Sequence, residues 1–179
     1  MSYEHFIRIT SQIPFCATPI RLDPYNHCQF SCGYCFAKAR MGHGRDGKLQ
    51  SASVPAFRDR LKRVSRGEVA SALDEFLEQR VPVQLGGMSD PFMPAEQDQR
   101  VTLGLINVLR NADYPFLVST KSTLAAEDAY AGILAESKTL VRFSMTGIAD
   151  GSRRSVDRGT PDRVKVLGRV DKEDSQISN

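Results

Sequence analysis

Cys28, Cys32 and Cys35 fall inside eight consecutive positions of the stretch YNHCQFSCGYCFAKAR, residues 25–40. A disulfide between two of these thiols would strand the third, and a tetrahedral zinc site ordinarily takes four protein ligands. Three thiolates in one short loop suit a metal centre that keeps one coordination position open. The chain holds four cysteines, the other being Cys16. In a reducing compartment a tight cluster points to metal or redox chemistry rather than to a disulfide framework. Cys16 reads either as a free thiol or as a fourth ligand that would close a zinc site. His27, beside Cys28, reads either as a metal ligand or as a structural residue of the loop.

Three further segments, GGMSDPF, STKS and SMTG, each end a short apolar run. VPVQLGG, YPFLVST and TLVRFSMTG read as strands, and TPIRLDPY as an earlier strand leading into the cysteine loop. Helical spacing appears between them. EVASALDEFLEQR puts Val69, Leu73, Phe76 and Leu77 on one face, and EQDQRVTLGLINVLRNA does the same with Val101, Leu105, Val108 and Leu109. AAEDAYAGILAES does so with Tyr130, Ile133 and Leu134. Strands alternating with helices predict an α/β fold with parallel pairing and right-handed crossovers. Loops at the C-terminal ends of such strands share one rim, so the four segments should meet there. Periodicity alone allows either a doubly wound sheet or a barrel-like one. Residues 41–64 read as a long loop with room for a short helix, and residues 150–160 as another loop. PDRVKVLGRV reads as a fourth helix with Pro161 in its first turn, followed by a polar tail over residues 170–179.

The chain has 179 residues, 41% hydrophobic and 25% charged, enough for one domain with its own core. No run approaches the roughly 18 apolar residues of a membrane span. The start, MSYEHFIRITSQ, lacks the features of a signal peptide. A cytoplasmic protein with no membrane partner is expected. The net charge of +3 permits a nucleic-acid partner without arguing for one. The basic stretches ARMGHGRDGK and RDRLKRVSRG read first as solvated surface.

The C-x3-C-x2-C spacing with Tyr34 before the last cysteine resembles the signature of the radical S-adenosylmethionine (radical SAM) superfamily. The order DPYNHCQFSCGYCFAKAR, GGMSDPFMPAE, STKS, RFSMTG is similar to that of its spore photoproduct lyase-like branch. The resemblance covers roughly residues 20–165. It implies a 4Fe-4S cluster held by three thiolates, whose fourth iron chelates S-adenosylmethionine. One electron from the cluster then cleaves the sulfonium to a 5'-deoxyadenosyl radical, as in a lyase or a related enzyme. An electron donor such as flavodoxin or ferredoxin is implied as a partner. The substrate is left open, a nucleic-acid base or another macromolecule being compatible.

By the same resemblance Cys28, Cys32 and Cys35 would ligate the cluster. Tyr34 would lie beside the adenine, and the backbone near Phe36 would meet its edge. Gly86 and Gly87 would receive the methionine amino group, where backbone must approach closely. Lys121, with Ser119 or Ser144, would meet the carboxylate or the ribose. The plainer readings are a strand end for the glycines, a solvated lysine, a turn or cap for Asp90, and a helix N-terminus for Glu96. The fold implied is a partial (β/α) barrel forming a single radical SAM core over residues 1–179. It counts about four strand–helix units, fewer than the usual six, and is incomplete at the C-terminus. Open sheet edges would favour self-association or a completing subunit. The remaining alternatives are a non-catalytic four-cysteine zinc or cluster module and a relative that binds the cluster without turnover.

Overall fold

A computed structural model describes residues 3–10, 18–37, 48–145 and 156–161. Cys16, the fourth helix expected after Pro161 and the polar tail lie outside the described residues. The chain is a mixed α/β protein. Strands β1 (Ile7–Ile9), β2 (Ile20–Leu22) and β3 (Ser31–Cys32) come first, then helices α1 (Val54–Val64) and α2 (Ala72–Glu78). Strand β4 (Val83–Leu85) is followed by α3 (Ala95–Gln99) and α4 (Val101–Asn111). Strand β5 (Phe116–Thr120), a 3-10 turn (Thr123–Ala126), α5 (Asp128–Ala135), β6 (Thr139–Phe143) and β7 (Asp157–Arg158) complete the order.

The main sheet runs β1-β2-β4-β5-β6. Its last four strands are mutually parallel, as expected, with Leu22 opposite Leu85 and Val118 opposite Val141. Strand β1, to which the sequence reading assigned no element, pairs antiparallel with β2 and covers that edge. At the other side β6 ends the sheet among the described residues, and Leu140 on it is 58% exposed.

Alternation along the strands separates two faces. Ile20, Leu22, Val83, Leu85, Phe116 and Val118 are fully buried, and they pack with Phe57, Leu105, Ile106 and Leu109 from the helices. The opposite face carries Arg21, Gln84, Ser119 and Arg142. There the Gln84 amide donates to Ser119 Oγ (3.1 Å), and Arg142 donates to Gln84 Oε1 (2.7 Å). One face is thus a helix-covered core, and the other carries these polar side chains together with Leu117 and Leu140.

The helices depart from the sequence reading in three places. The segment read as a long loop with room for a short helix holds the eleven-residue helix α1, with Ser53 capping its N-terminus and Phe57, Leu61 and Val64 buried. Their i, i+4, i+7 spacing lies beneath five Lys and Arg residues between positions 58 and 66, which made the segment look like surface loop. Helix α2 starts only after Ser71, so Val69 is not on it. Ser71 accepts from the Asp74 N–H, and Asp74 reaches back to the Ala70 N–H. The helix expected across residues 96–112 is broken at Arg100, whose φ of 50° is left-handed.

Glu96 explains that break. Its fully buried carboxylate accepts from the Thr102 N–H (2.8 Å) and the Leu103 N–H (3.0 Å), the first-turn donors of α4. It also accepts from the Tyr25 hydroxyl (2.5 Å) and the Tyr130 hydroxyl (2.9 Å). The helix N-terminus stabilises this buried negative charge. Burial and the adjoining carboxylate push both phenols well above their ordinary range. Glu96 therefore sits in the first turn of its own helix α3, as expected, and also accepts from the N-terminus of the helix that follows. It fastens Tyr25, just before the cysteines, to the segment after β4.

Candidate functional site

The loops that follow β2, β4 and β5, with Ser144 at the end of β6, border one cavity of about 200 Å³ at the C-terminal ends of the parallel strands. Cys28, Cys32 and Cys35 line it, together with Tyr34 and Phe36. Gly86 and Gly87 line it from the β4 loop, Ser119 and Lys121 from β5 and its loop, and Ser144 from the end of β6. Every residue to which the resemblance gives a cluster or cofactor contact therefore borders the same space, whereas His27 does not line it.

The first half of the cysteine loop is stitched to the β4 loop. Asp23, fully buried at the end of β2, accepts from the Met88 N–H (2.6 Å) and pairs with Arg21 (2.7 Å). Burial pushes the Asp23 carboxyl upward, opposed by the Arg21 guanidinium and the Met88 N–H. The Gln29 N–H donates to Met93 Sδ, and the Ala95 N–H donates to Gln29 Oε1 (2.7 Å). The Asp90 N–H points at Cys28 Sγ (3.5 Å). Burial pushes the Cys28 thiol up to about 11. Metal binding there would have to displace its proton.

Asp90 makes the turn expected of it and, in addition, a contact to the end of β5. Its carboxylate accepts from the Phe92 N–H (3.0 Å) in an Asx turn, and from Thr120 Oγ1 and the Lys121 N–H (2.7 Å each). It locks the β4 loop to the end of β5, and burial pushes its carboxyl upward against those three donors.

The two glycines have structural reasons of their own. Gly86 has φ of +84°, and a Cβ there would lie 2.4 Å from Pro91 Cδ. A Cβ at Gly87 would lie 2.3 Å from the Cγ and Cδ of Arg21, whose guanidinium is tied to Asp23. The turn itself needs glycine at 86, and at 87 any side chain would have to displace Arg21.

The second half of the cysteine loop is held by a strand that sequence patterning did not reveal. Strand β7 pairs antiparallel with β3, setting Asp157 opposite Cys32, and the Gly33 N–H donates to Val156 O (2.7 Å). The Asp157 carboxylate accepts from the Tyr34 hydroxyl (2.5 Å) and lies 3.5 Å from Lys121 Nζ. Lys121 Nζ stands 5.2 Å from the centre of the Tyr34 ring and donates to Ser144 O (3.4 Å). Lys121 is thus not the solvated lysine of the plainer reading. It borders the cavity with an anionic partner from the chain.

Ser89 was also missed. It is 4% exposed, it lines the cavity, and its hydroxyl has no hydrogen-bond partner among the described residues. A buried orphan hydroxyl at a cavity wall is a ready donor to a bound molecule. The Nδ1 of His27 is likewise buried and without a partner among the described residues.

Among the described residues no group of three or more His, Cys, Asp or Glu is arranged to hold a metal ion. The three thiols border one cavity, and thiolates are the protein ligands that an iron–sulfur cluster takes. Also among the described residues, no helix is long and apolar enough to cross a membrane. Comparison with protein-family models, with curated proteins and with solved structures found no match for this chain.

Proposed function

We propose that the chain is a radical S-adenosylmethionine enzyme, with a 4Fe-4S cluster and S-adenosylmethionine in the cavity at the strand ends. The observation that carries this reading is the convergence of four sequence segments on one cavity. Three thiols, an aromatic pair, a glycine turn, a lysine and two serines, spread over residues 28–144, border a single space. The fold reading that goes with it is a partial (β/α) barrel. The parallel strands advance in one direction, β2-β4-β5-β6, without the reversal of a doubly wound sheet. Right-handed crossovers then leave the helices on one face. The half-exposed face with Arg21, Gln84, Ser119 and Arg142 would be the inside of that barrel.

In this reading Cys28, Cys32 and Cys35 hold the cluster. The bound pair supplies one-electron cleavage of the sulfonium to a 5'-deoxyadenosyl radical. The chain's own residues bind and orient. Ser89 offers its unpaired hydroxyl, Ser119 and Ser144 offer polar edges, and Tyr34 and Phe36 offer apolar faces. Lys121 offers positive charge for a carboxylate or ribose. The Asp23 and Asp90 carboxylates fix the loop backbone before anything binds, which lowers the ordering cost of binding. An electron donor of the flavodoxin or ferredoxin kind would be required. A nucleic-acid substrate is the finer proposal, and it rests on the family resemblance alone.

The test is anaerobic reconstitution with iron and sulfide, reduction with dithionite, and chromatography for 5'-deoxyadenosine and methionine. Both products should form in the wild type and neither in Cys32→Ala. A cluster-loaded wild type that yields neither product would contradict the enzymatic reading.

A further inference from the structure

We infer that Asp157 is a positioning residue for the cavity, fixing through Tyr34 and Lys121 the aromatic face and the cation that S-adenosylmethionine would meet. The inference rests on the function proposed above and extends it to a residue that no sequence motif singled out.

A carboxylate 1% exposed must be paired to be tolerated. Asp157 has the Tyr34 hydroxyl at 2.5 Å and Lys121 Nζ at 3.5 Å. Both partners border the cavity. Tyr34 is 49% exposed, so packing alone does not set the plane of its ring. What sets it is the hydroxyl bond to Asp157 and the Lys121 cation over its face, 5.2 Å from the ring centre. The same carboxylate holds Lys121 in place over that ring.

Asp157 is itself immobilised. Its backbone pairs with Cys32 across the two-stranded ribbon, and Thr160 Oγ1 donates to its carbonyl (2.8 Å). The carboxylate is thus fixed relative to the central thiol of the loop. Removing the carboxylate leaves these backbone bonds in place, so the Tyr34 ring and the lysine should loosen while the thiols stay where they are.

The experiment measures the dissociation constant for S-adenosylmethionine by calorimetry on anaerobically reconstituted protein, with iron content and melting temperature taken on the same samples. Wild type, Asp157→Ala, Asp157→Asn, Tyr34→Phe and the Asp157→Ala/Tyr34→Phe double variant are compared. Asp157→Ala should retain its iron and bind about tenfold more weakly, the size of a lost charge-assisted contact. Asp157→Asn keeps an acceptor for the Tyr34 hydroxyl and should fall between the two. The double variant should bind no more weakly than Asp157→Ala, because Tyr34→Phe removes a bond already lost. Unchanged affinity in Asp157→Ala, or multiplying effects in the double variant, would overturn the inference. So would loss of iron in both Asp157 variants, which would make the residue merely structural. Wild type that takes up iron but binds no S-adenosylmethionine would instead overturn the proposed function.

Discussion

On the β2 and β4 side of the cavity, Asp23, Asp90 and Glu96 each accept two or more hydrogen bonds from neighbouring loops, and Asp23 and Glu96 are fully buried. On the β5 and β6 side, β6 is half-exposed along its length. The second half of the cysteine loop there relies on a two-residue ribbon and the Asp157 contacts. Phe36 is 60% exposed there, whereas Tyr25 and Phe92 across the cavity are sealed in the core. The difference teaches that one side is built by the fold, through carboxylates that leave few backbone donors unpaired. The other side is assembled by contact between distant segments, and a ligand would contribute more to its order.

The largest expected effect falls on the built side. Glu96→Ala removes the acceptor for two phenols and two N–H groups at once. It should lower unfolding stability by about 3 kcal/mol or more, read from denaturant midpoints. Glu96→Gln can still accept but must also donate, and should lose about half as much. If Glu96→Ala costs under about 1 kcal/mol, the carboxylate is not the anchor described here.

A smaller loss is expected at the glycine turn. Gly87→Ala drives a methyl into the Arg21 stem and should disturb the Arg21–Asp23 pair. The expected cost is about 1–3 kcal/mol, visible as a lower melting temperature before any cofactor is added. The apo protein melting unchanged would show that Arg21 simply moves aside.

Asp74 separates burial from the site, because it is a buried carboxylate far from the rim. Burial alone would raise its pKa, but Arg63, the Ala70 N–H, Ser71 and Arg60 together hold it below the usual range. A depressed carboxyl gives stability that is fully present above the unfolded pKa of about 3.9 and lost as pH falls through the folded value. Asp74→Asn should therefore cost about 1–2 kcal/mol at pH 7 and progressively less below about pH 4. A wild-type to variant gap that widens on acidification would contradict the ion-pair account.

The smallest effect is expected on the loose side. Leu140→Lys on the outer strand should leave stability within about 0.5 kcal/mol of the parent. It should nevertheless reduce light scattering at high concentration, since a charged edge resists edge-to-edge pairing. Equal scattering from both proteins would mean that this edge does not mediate association.

Local patterning made much of this architecture legible. The apolar runs at Val83–Leu85, Phe116–Thr120 and Thr139–Phe143 became parallel neighbours. Their order alone put the cysteine loop beside the GGMSDPF, STKS and SMTG segments. The full length of helix α1 was hidden because its apolar spacing is overlaid by arginine and lysine. The break at Arg100 was hidden because it depends on Glu96 being drawn to two tyrosines, one of them Tyr25, 71 positions away. Asp157 and β7 were illegible for the same reason. A two-residue strand has no periodicity, and its partner Tyr34 lies 123 positions earlier. Ser89 had a weak signal, a small polar residue between a glycine turn and Asp90. Nothing in its type told that its hydroxyl would be left unpaired.

The central claim is that three thiols, and not four, hold an iron–sulfur cluster in the cavity. The direct measurement is iron, sulfide and zinc per chain in anaerobically reconstituted wild type, Cys16→Ala and Cys28→Ala. The account predicts about four iron and four sulfide in wild type and in Cys16→Ala, and almost none in Cys28→Ala. One zinc per chain without sulfide, lost equally from Cys16→Ala and Cys28→Ala, would contradict it and establish a closed four-thiolate site.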